Sequence, residues 1–160
     1  LNYEHGFIQS EPYNSHRKPL IDIIEKTNYK IAKLDNGKRV SQQEYYQRVT
    51  NSKIILAPFG YGEMAPRDLE AAMFGSVLIK PDMSYVDTNP NPYIDGETYV
   101  SCKHDYSNLE EKIDDLLGNE KKCHYIIENA RKKFKELFTP ENIALKVYDI
   151  FSNMNQVITE

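Results

Sequence analysis

The sequence predicts an α/β domain with a doubly wound, Rossmann-like parallel sheet of about five strands. Short apolar runs alternate with segments of helical periodicity along the first two thirds of the chain. The runs 53–57 and 77–79 are almost entirely apolar, which is typical of strands buried on both faces of a parallel sheet. Strand and helix alternating at this spacing imply right-handed crossovers, with helices on both faces. The 160 residues fit a single domain.

The predicted strands are bounded by turn residues and helix starts. Five segments qualify: 6–8, 29–34, 53–57, 77–79 and 98–100. The stretch 29–34 alternates apolar and polar residues, and an Asp-Asn-Gly turn follows at 35–37. Sheets of this kind bind ligands at the carboxyl ends of their strands. The loops that follow the first four segments are therefore candidate sites.

Capping residues predict where the first two helices begin. Asn14 or Ser15 is expected to cap the first helix, whose apolar residues recur at helical spacing up to about position 27. Ser41 and Glu44 have the spacing of a capping box, in which both side chains satisfy amides that a helix start leaves unpaired. The second helix is expected to run to about residue 51.

The C-terminal part, about 107–155, is expected to be helical. Three helices are predicted, over 107–117, 120–138 and 140–153. Ser107 and Glu110 have the spacing of a second capping box. Thr139 and Pro140 are suited to the cap and the first residue of the last helix.

Composition excludes several classes of function. The net charge of −4 argues against a general nucleic-acid surface, which needs concentrated Lys and Arg. The sequence contains neither an apolar run of the roughly 20 residues that span a bilayer nor a signal peptide at its start. Cys102 and Cys123 lack zinc-type spacing and predict free thiols in a reducing compartment. The four histidines are scattered, without a pair at the spacing of metal ligands, so we expect no metal. We also expect a cytoplasmic protein without a cofactor.

The loop 58–65 is the one strand-end loop with unusual residues. Gly60 and Gly62 flank Tyr61 directly after a buried strand, so the backbone can approach a ligand closely. Pro66 suits the first position of the next helix, and Gly75 suits its end. That helix points its amides and positive dipole end at the loop, an arrangement that suits a diphosphate.

Arg67 lies in the first turn of this helix, where the dipole disfavours a cation. A guanidinium there can contact a phosphate with two hydrogen bonds. Glu63, Arg67 and Glu70 would also share one face of a continuous helix, which is the pattern of an ordinary surface ladder of salt bridges. Both interpretations stay open for Glu70, whereas Glu63 is expected in the loop.

Three stretches carry a family resemblance: 52–63, 67–71 with the sequence Arg-Asp-Leu-Glu-Ala, and 75–81. They resemble the C-terminal, donor-binding lobe of GT-B glycosyltransferases, and are closest to the glycosyl transferases group 1 and exostosin-like branches. The resemblance implies a lobe that binds a nucleotide-diphosphate sugar. It extends more loosely over about 7–117 and includes the loop and short strand at 93–100.

The resemblance also implies roles for individual residues. The position of Glu70 typically holds the ribose hydroxyls, and that of Glu63 lies near the sugar, although many members space these glutamates one residue wider. With Arg67, Glu63 is assigned to the catalytic set. The implied donor-binding residues are Gly60, Tyr61, Gly62, Met64, Ala65, Pro66 and Glu70, with Arg17 and Lys18 in place of basic residues that follow the first strand in many members. The alternative for Arg17 and Lys18 is a solvated first helical turn.

Together these observations predict a donor-binding domain over 1–160 that is a fragment of a two-lobe glycosyltransferase and incomplete alone. The expected partners are the nucleotide sugar and an N-terminal acceptor lobe, without nucleic acid. Two alternatives from other classes remain: a non-catalytic, receiver-like α/β module that binds a partner, and a nucleotide-binding regulatory domain. The basic run Arg131, Lys132, Lys133 and Lys135 is expected to be a solvated face, with peripheral contact to an anionic membrane as the alternative.

Overall fold

The computed structural model describes residues 2–3, 13–33, 40–60 and 62–157. The strands in these residues are β1 (Asn2–Tyr3), β2 (Ala32–Lys33), β3 (Ile54–Leu56), β4 (Val77–Pro81) and β5 (Val100–Cys102). The helices are α1 (Tyr13–Glu25), α2 (Gln42–Thr50), α3 (Pro66–Phe74), α4 (Leu109–Gly118), α5 (Glu120–Leu137) and α6 (Pro140–Val157).

All strand pairs in the described part of the chain are parallel. One ladder joins β1 to β2, and a second joins β3, β4 and β5 in that order. β1 also lies beside β3, so the strands follow each other across the fold as β2, β1, β3, β4 and β5. The order along the chain reverses between β1 and β3, and such a switch point is where doubly wound sheets bind their ligands.

The core forms on both faces of the sheet, as the apolar strands predict. Alternate residues of β3 enter different clusters: Ile54 packs with residues of α1, α4 and α5, whereas Ile55 packs with residues of α2 and α3. β3 and β4 are buried at every position. The doubly wound α/β fold is therefore confirmed. In the described residues, no helix is both long and apolar enough to cross a membrane.

Several predicted boundaries are confirmed. The Ser41 hydroxyl accepts a hydrogen bond from the Glu44 amide at 3.2 Å, and α2 begins directly after it. The Thr139 hydroxyl accepts one from the Asn142 amide at 3.1 Å. Gly75 ends α3 with φ of 84°, in the left-handed region that favours glycine. The helical C-terminal part is also observed, although α6 continues to Val157, beyond its predicted end.

Two predicted strands differ from the structure. The segment 29–34 contributes only β2, at 32–33. The segment 98–100 was placed too early, because Thr98 belongs to a turn: its hydroxyl accepts from the Ile94 amide and donates to the Pro92 carbonyl. The strand follows as β5, from Val100. The predicted strand at 6–8 and the turn at 35–37 lie outside the described residues.

Two predicted helix caps are wrong. α1 already includes Asn14 and Ser15, since it begins at Tyr13. The capping box expected at Ser107 does not form, because the Asp105 carboxylate accepts from the Ser107 amide in a turn before the helix. α4 instead begins at Leu109 without a side-chain cap.

Candidate functional site

A cavity of about 400 Å³ opens at the carboxyl end of β3. Four elements supply its walls: α1, α2, the loop after β3 and the start of α3. The lining residues are Arg17, Tyr45, Ala57, Pro58, Gly60, Gly62, Met64, Ala65, Pro66, Arg67 and Glu70. The structure thus brings together most of the site residues predicted from the sequence. Tyr61 lies outside the described residues.

The start of α3 forms one wall of the cavity. Ala65 occupies the N-cap position and Pro66 is the first helical residue. Alanine carries no side-chain acceptor, so this helix start lacks the oxygen that a Ser, Thr, Asp or Asn cap would supply to the first-turn amides. The Ala65 amide is itself bonded to the Asp68 carboxylate and Pro66 has no amide hydrogen, so this helix start offers an anion the positive end of its dipole.

Arg17 contributes a guanidinium group to the cavity from α1. Its Nε atom donates to the Phe59 carbonyl at 3.1 Å. A Cβ atom at Gly60 would lie 3.4 Å from Arg17 Nη2, which is van der Waals contact, so the loop backbone packs directly against this side chain. Lys18, in contrast, is exposed and is not part of the cavity wall. The guanidinium groups of Arg17 and Arg67 therefore reach one cavity from two elements.

Glu70 is oriented by a residue that the sequence did not single out. The Tyr45 hydroxyl on α2 donates to Glu70 Oε2 at 2.5 Å. Burial, with the nearby Glu70 carboxylate, raises the pKa of Tyr45 to about 12, although Arg67 acts in the opposite direction. The phenol therefore stays a protonated donor at neutral pH and fixes the carboxylate at the cavity wall.

Beneath the loop lies a buried ion pair that the sequence reasoning missed. Lys80 Nζ and Asp68 Oδ2 are 2.6 Å apart, with the side chains 1% and 2% exposed. The Tyr93 hydroxyl donates to the same oxygen at 2.6 Å, and the ammonium lies 4.8 Å from the centre of the Tyr93 ring. Burial lowers the pKa of Lys80, and the Asp68 carboxylate partly opposes this shift.

This ion pair holds the backbone of the loop at two points. Lys80 Nζ donates to the Glu63 carbonyl at 2.5 Å, and Asp68 Oδ2 accepts from the Ala65 amide at 3.1 Å. A lysine inside an apolar strand, between Ile79 and Pro81, was the available sequence signal. Since a buried charge needs a partner, that lysine pointed to a nearby carboxylate.

Glu63, like Lys18, is not among the residues that line the cavity. Its side chain is half-buried beside Tyr85 and does not line the wall. The pKa of Tyr85 is raised by burial and by the Glu63 carboxylate, which shows that the two groups are close. Within the described residues, no cluster of three or more His, Cys, Asp or Glu is arranged to hold a metal ion.

Comparisons with known proteins agree on the kind of domain. The family model described as glycosyl transferase-like matches residues 14–149. No curated protein is significantly similar in sequence. Sucrose-phosphate synthase from Thermosynechococcus elongatus is similar in structure, with a TM-score of 0.62 and 16% sequence identity. The match covers 98% of this chain but 39% of the synthase, so the chain spans about two fifths of that protein's length. At this identity the likeness shows the fold, that of a GT-B lobe.

Proposed function

The chain belongs to the glycosyl transferase-like family, and on that premise we propose that it binds a nucleoside-diphosphate sugar in the cavity at the carboxyl end of β3. It acts as the donor-binding lobe of an enzyme that transfers the sugar to a hydroxyl acceptor. The observation that carries the proposal is the convergence of the α3 start, Arg17 and Arg67 on one cavity beside the fixed carboxylate of Glu70.

The diphosphate is assigned to the positive part of the cavity. The start of α3 contributes the positive end of its dipole, and Arg17 and Arg67 add two guanidinium groups. As the sugar leaves, negative charge grows on the diphosphate. Positive groups that are already in place stabilise that charge without reorganisation, which is electrostatic catalysis.

The nucleoside is assigned to the part of the cavity beside Glu70. A carboxylate accepts hydrogen bonds only, so it suits the ribose hydroxyls as donors. Tyr45 occupies Oε2 and leaves Oε1 as the acceptor for them. Glu63 is assigned to the neighbourhood of the sugar, outside the cavity wall and beside Tyr85.

The acceptor and any general base belong to an N-terminal lobe that faces this one in the intact enzyme. We place the protein in the cytoplasm, without a resident cofactor. Membrane contact through the basic run on α5 has less support, because Arg131 is engaged within the fold: its Nε donates to the Ala72 carbonyl at 2.9 Å, and its Nη1 lies 3.0 Å from Glu128.

Titration with nucleotides tests the proposal. Protein NMR shifts are followed during addition of UDP-, GDP- and ADP-sugars, the bare nucleoside diphosphates and inorganic pyrophosphate. Arg67→Ala and Arg17→Ala are expected to weaken both nucleotide and pyrophosphate binding about tenfold or more, since hydrogen bonds to charged groups contribute roughly 1.5–3 kcal/mol. Lys18→Ala is the matched control for Arg17 and should leave binding unchanged.

Glu70→Gln separates the two halves of the assignment. This variant is expected to bind nucleoside diphosphates more weakly and pyrophosphate as strongly as the wild type, because only the ribose is assigned to Glu70. Melting temperatures of all variants establish that they remain folded. If the wild-type protein responds to none of the nucleotides, the donor-site proposal is wrong and a partner-binding module becomes the better interpretation.

A further inference from the structure

Four aromatic side chains form a cluster beside the cavity, at the carboxyl ends of the strands. His16 lies on α1, Phe59 follows β3, Tyr85 follows β4 and His104 follows β5. We refer to these four residues as the ring cluster. Since each comes from a different segment, the fold itself assembles the cluster.

The ring cluster has Phe59 at its centre. His16 is stacked on Phe59, with ring centres 5.4 Å apart and planes 20° apart. His104 and Tyr85 meet Phe59 edge-on at 5.7 and 6.5 Å, and lie 5.3 Å from each other. Each ring thus contacts at least one other at the separation typical of aromatic pairs, and together they make a continuous surface.

One side of the ring cluster is anchored and the other is open. The Tyr106 side chain beneath it is buried, and its hydroxyl lies 3.0 Å from His16 Nε2. Tyr85 is 56% exposed, and His104 is exposed as well. Neither contributes to the buried core clusters of the sheet. Packing of the core therefore does not account for these two rings.

Phe59 connects the ring cluster directly to the proposed diphosphate site. Its carbonyl accepts the hydrogen bond from Arg17, and Gly60, the next residue, lines the cavity. In a nucleoside-diphosphate sugar, the sugar is attached to the distal phosphate. The ring cluster therefore adjoins the part of the cavity wall to which the diphosphate is assigned.

We propose that the ring cluster binds a hexopyranose, stacked on Tyr85 and His104; this inference rests on the proposed function and names the ligand of the adjoining surface. One face of a pyranose presents polarised C–H groups, and the faces of aromatic rings carry partial negative charge that attracts them. The sugar is either the one carried by the donor or a sugar of the acceptor.

Polar groups at the edge of the ring cluster suit the hydroxyls of such a sugar. The Glu63 carboxylate lies beside Tyr85. The pKa of the Asp82 carboxyl is lowered mainly by hydrogen bonds from Ser84 and to a smaller extent by the nearby His104. Asp82 therefore also lies close to the ring cluster. An apolar ring surface bordered by a few polar groups is the usual composition of a small-molecule site.

The test measures how much affinity the sugar adds. NMR titrations compare each nucleotide sugar with its bare nucleoside diphosphate, in the wild type and in Tyr85→Ala and His104→Ala. The gain from the sugar is the ratio of the affinity for the nucleotide sugar to the affinity for its bare nucleoside diphosphate. If the ring cluster holds the donor sugar, both variants lower this gain by about three- to tenfold and leave nucleoside-diphosphate binding unchanged. Tyr85→Phe keeps the ring and is expected to retain most of that gain.

A second arm identifies an acceptor sugar. Methyl glycosides are titrated with and without saturating nucleoside diphosphate. If the ring cluster holds the acceptor, Tyr85→Ala and His104→Ala weaken glycoside binding and leave the gain from the donor sugar unchanged. Tyr125→Ala is the matched control, because Tyr125 is 55% exposed and lies on α5, outside the ring cluster.

The outcomes separate this inference from the proposed function. Three results overturn the ring-cluster proposal. The first is that Tyr85→Ala and His104→Ala lower sugar affinity in neither arm, and the second is that no sugar binds at all. The third is that Tyr125→Ala lowers sugar affinity as much as they do. Nucleotide binding with no effect of the ring variants leaves the proposed function intact. Glycoside binding that depends on Tyr85 and His104, in a protein that binds no nucleotide, supports the ring cluster and disproves the proposed function.

Discussion

Replacing Lys80 by Met tests the buried network beneath the cavity loop most directly. The substitution keeps a long unbranched side chain but removes the ammonium that lies 2.6 Å from Asp68 Oδ2. Because Asp68 is 2% exposed, its carboxylate would lose the counter-charge in a place that water does not reach. Removing one partner of a buried ion pair costs about 3–5 kcal/mol of unfolding free energy. At about 2–4 °C per kcal/mol for a domain of this size, the melting temperature should fall by about 6–20 °C.

Urea denaturation followed by circular dichroism measures this loss. The double variant Lys80→Met with Asp68→Asn is expected to be more stable than Lys80→Met alone, because it removes the uncompensated charge and keeps an oxygen that can accept from Tyr93. Lys53→Met is the control: this exposed lysine beside β3 donates only to the Leu117 carbonyl among the described contacts, and its loss should stay within about 0.5 kcal/mol.

Two results would refute the reasoning about the ion pair. One is a loss below about 1 kcal/mol in Lys80→Met, the value of an exposed pair. The other is a double variant no more stable than the single one, which would show that the buried charge is not the cause. A further readout is the NMR shifts of the loop at 62–65, which should change in Lys80→Met because the Glu63 carbonyl loses its donor.

Three further predictions concern single residues. Gly75→Ala is expected to lower the free energy of unfolding by about 1–2 kcal/mol, because φ is 84° and the new Cβ would lie 2.9 Å from the Arg131 guanidinium. Gly118→Ala is the control: there is open space around Gly118, so stability should change by less than about 0.5 kcal/mol in the same denaturation assay. Burial raises the pKa of Cys102 from 9.0 to about 12, so the folded state keeps a proton that the unfolded state releases. Its contribution to stability is therefore complete well below pH 9 and falls by about 1.4 kcal/mol between pH 8 and pH 10. Over this pH range Cys102→Ala should lose about that much less stability than the wild type. Tyr45→Phe removes the donor to Glu70 and should lower stability by about 1.5–3 kcal/mol; a loss below about 0.5 kcal/mol in calorimetry would contradict it.

The fold could be predicted from the sequence because its determinants are local. Apolar runs such as 53–57 reveal strands buried on both faces, and residues such as Ser41 and Gly75 mark helix ends through bonds to their own neighbours. The errors arose where two local interactions compete. Ser107 has the spacing of a capping box, yet its amide is taken by Asp105, and no capping rule ranks these two partners.

The candidate site was predictable only in part. Gly60 and Arg67 could be selected because they follow a buried strand and open a helix, and Glu70 because of the family resemblance; the cavity brings the three together. Tyr45, in contrast, lies 25 residues from Glu70 along the chain, and nothing in its own segment indicates that pairing. Glu63 was assigned to the catalytic set from the family resemblance, and its side chain lies beside Tyr85.

The first turn of α3 reconciles two demands that conflict in the loop. A loop with two glycines lets its backbone approach a ligand, but it must also be fixed, because electrostatic stabilisation is effective only when the charges and dipoles are already in place. Arg67 and Glu70, three residues apart, share the helix face that lines the cavity. Asp68 is turned to the buried side, where it holds the Ala65 amide and pairs with the same ammonium that holds the Glu63 carbonyl. One helical turn therefore presents the proposed binding groups on one face, and from the other it secures the loop through Asp68 and Lys80.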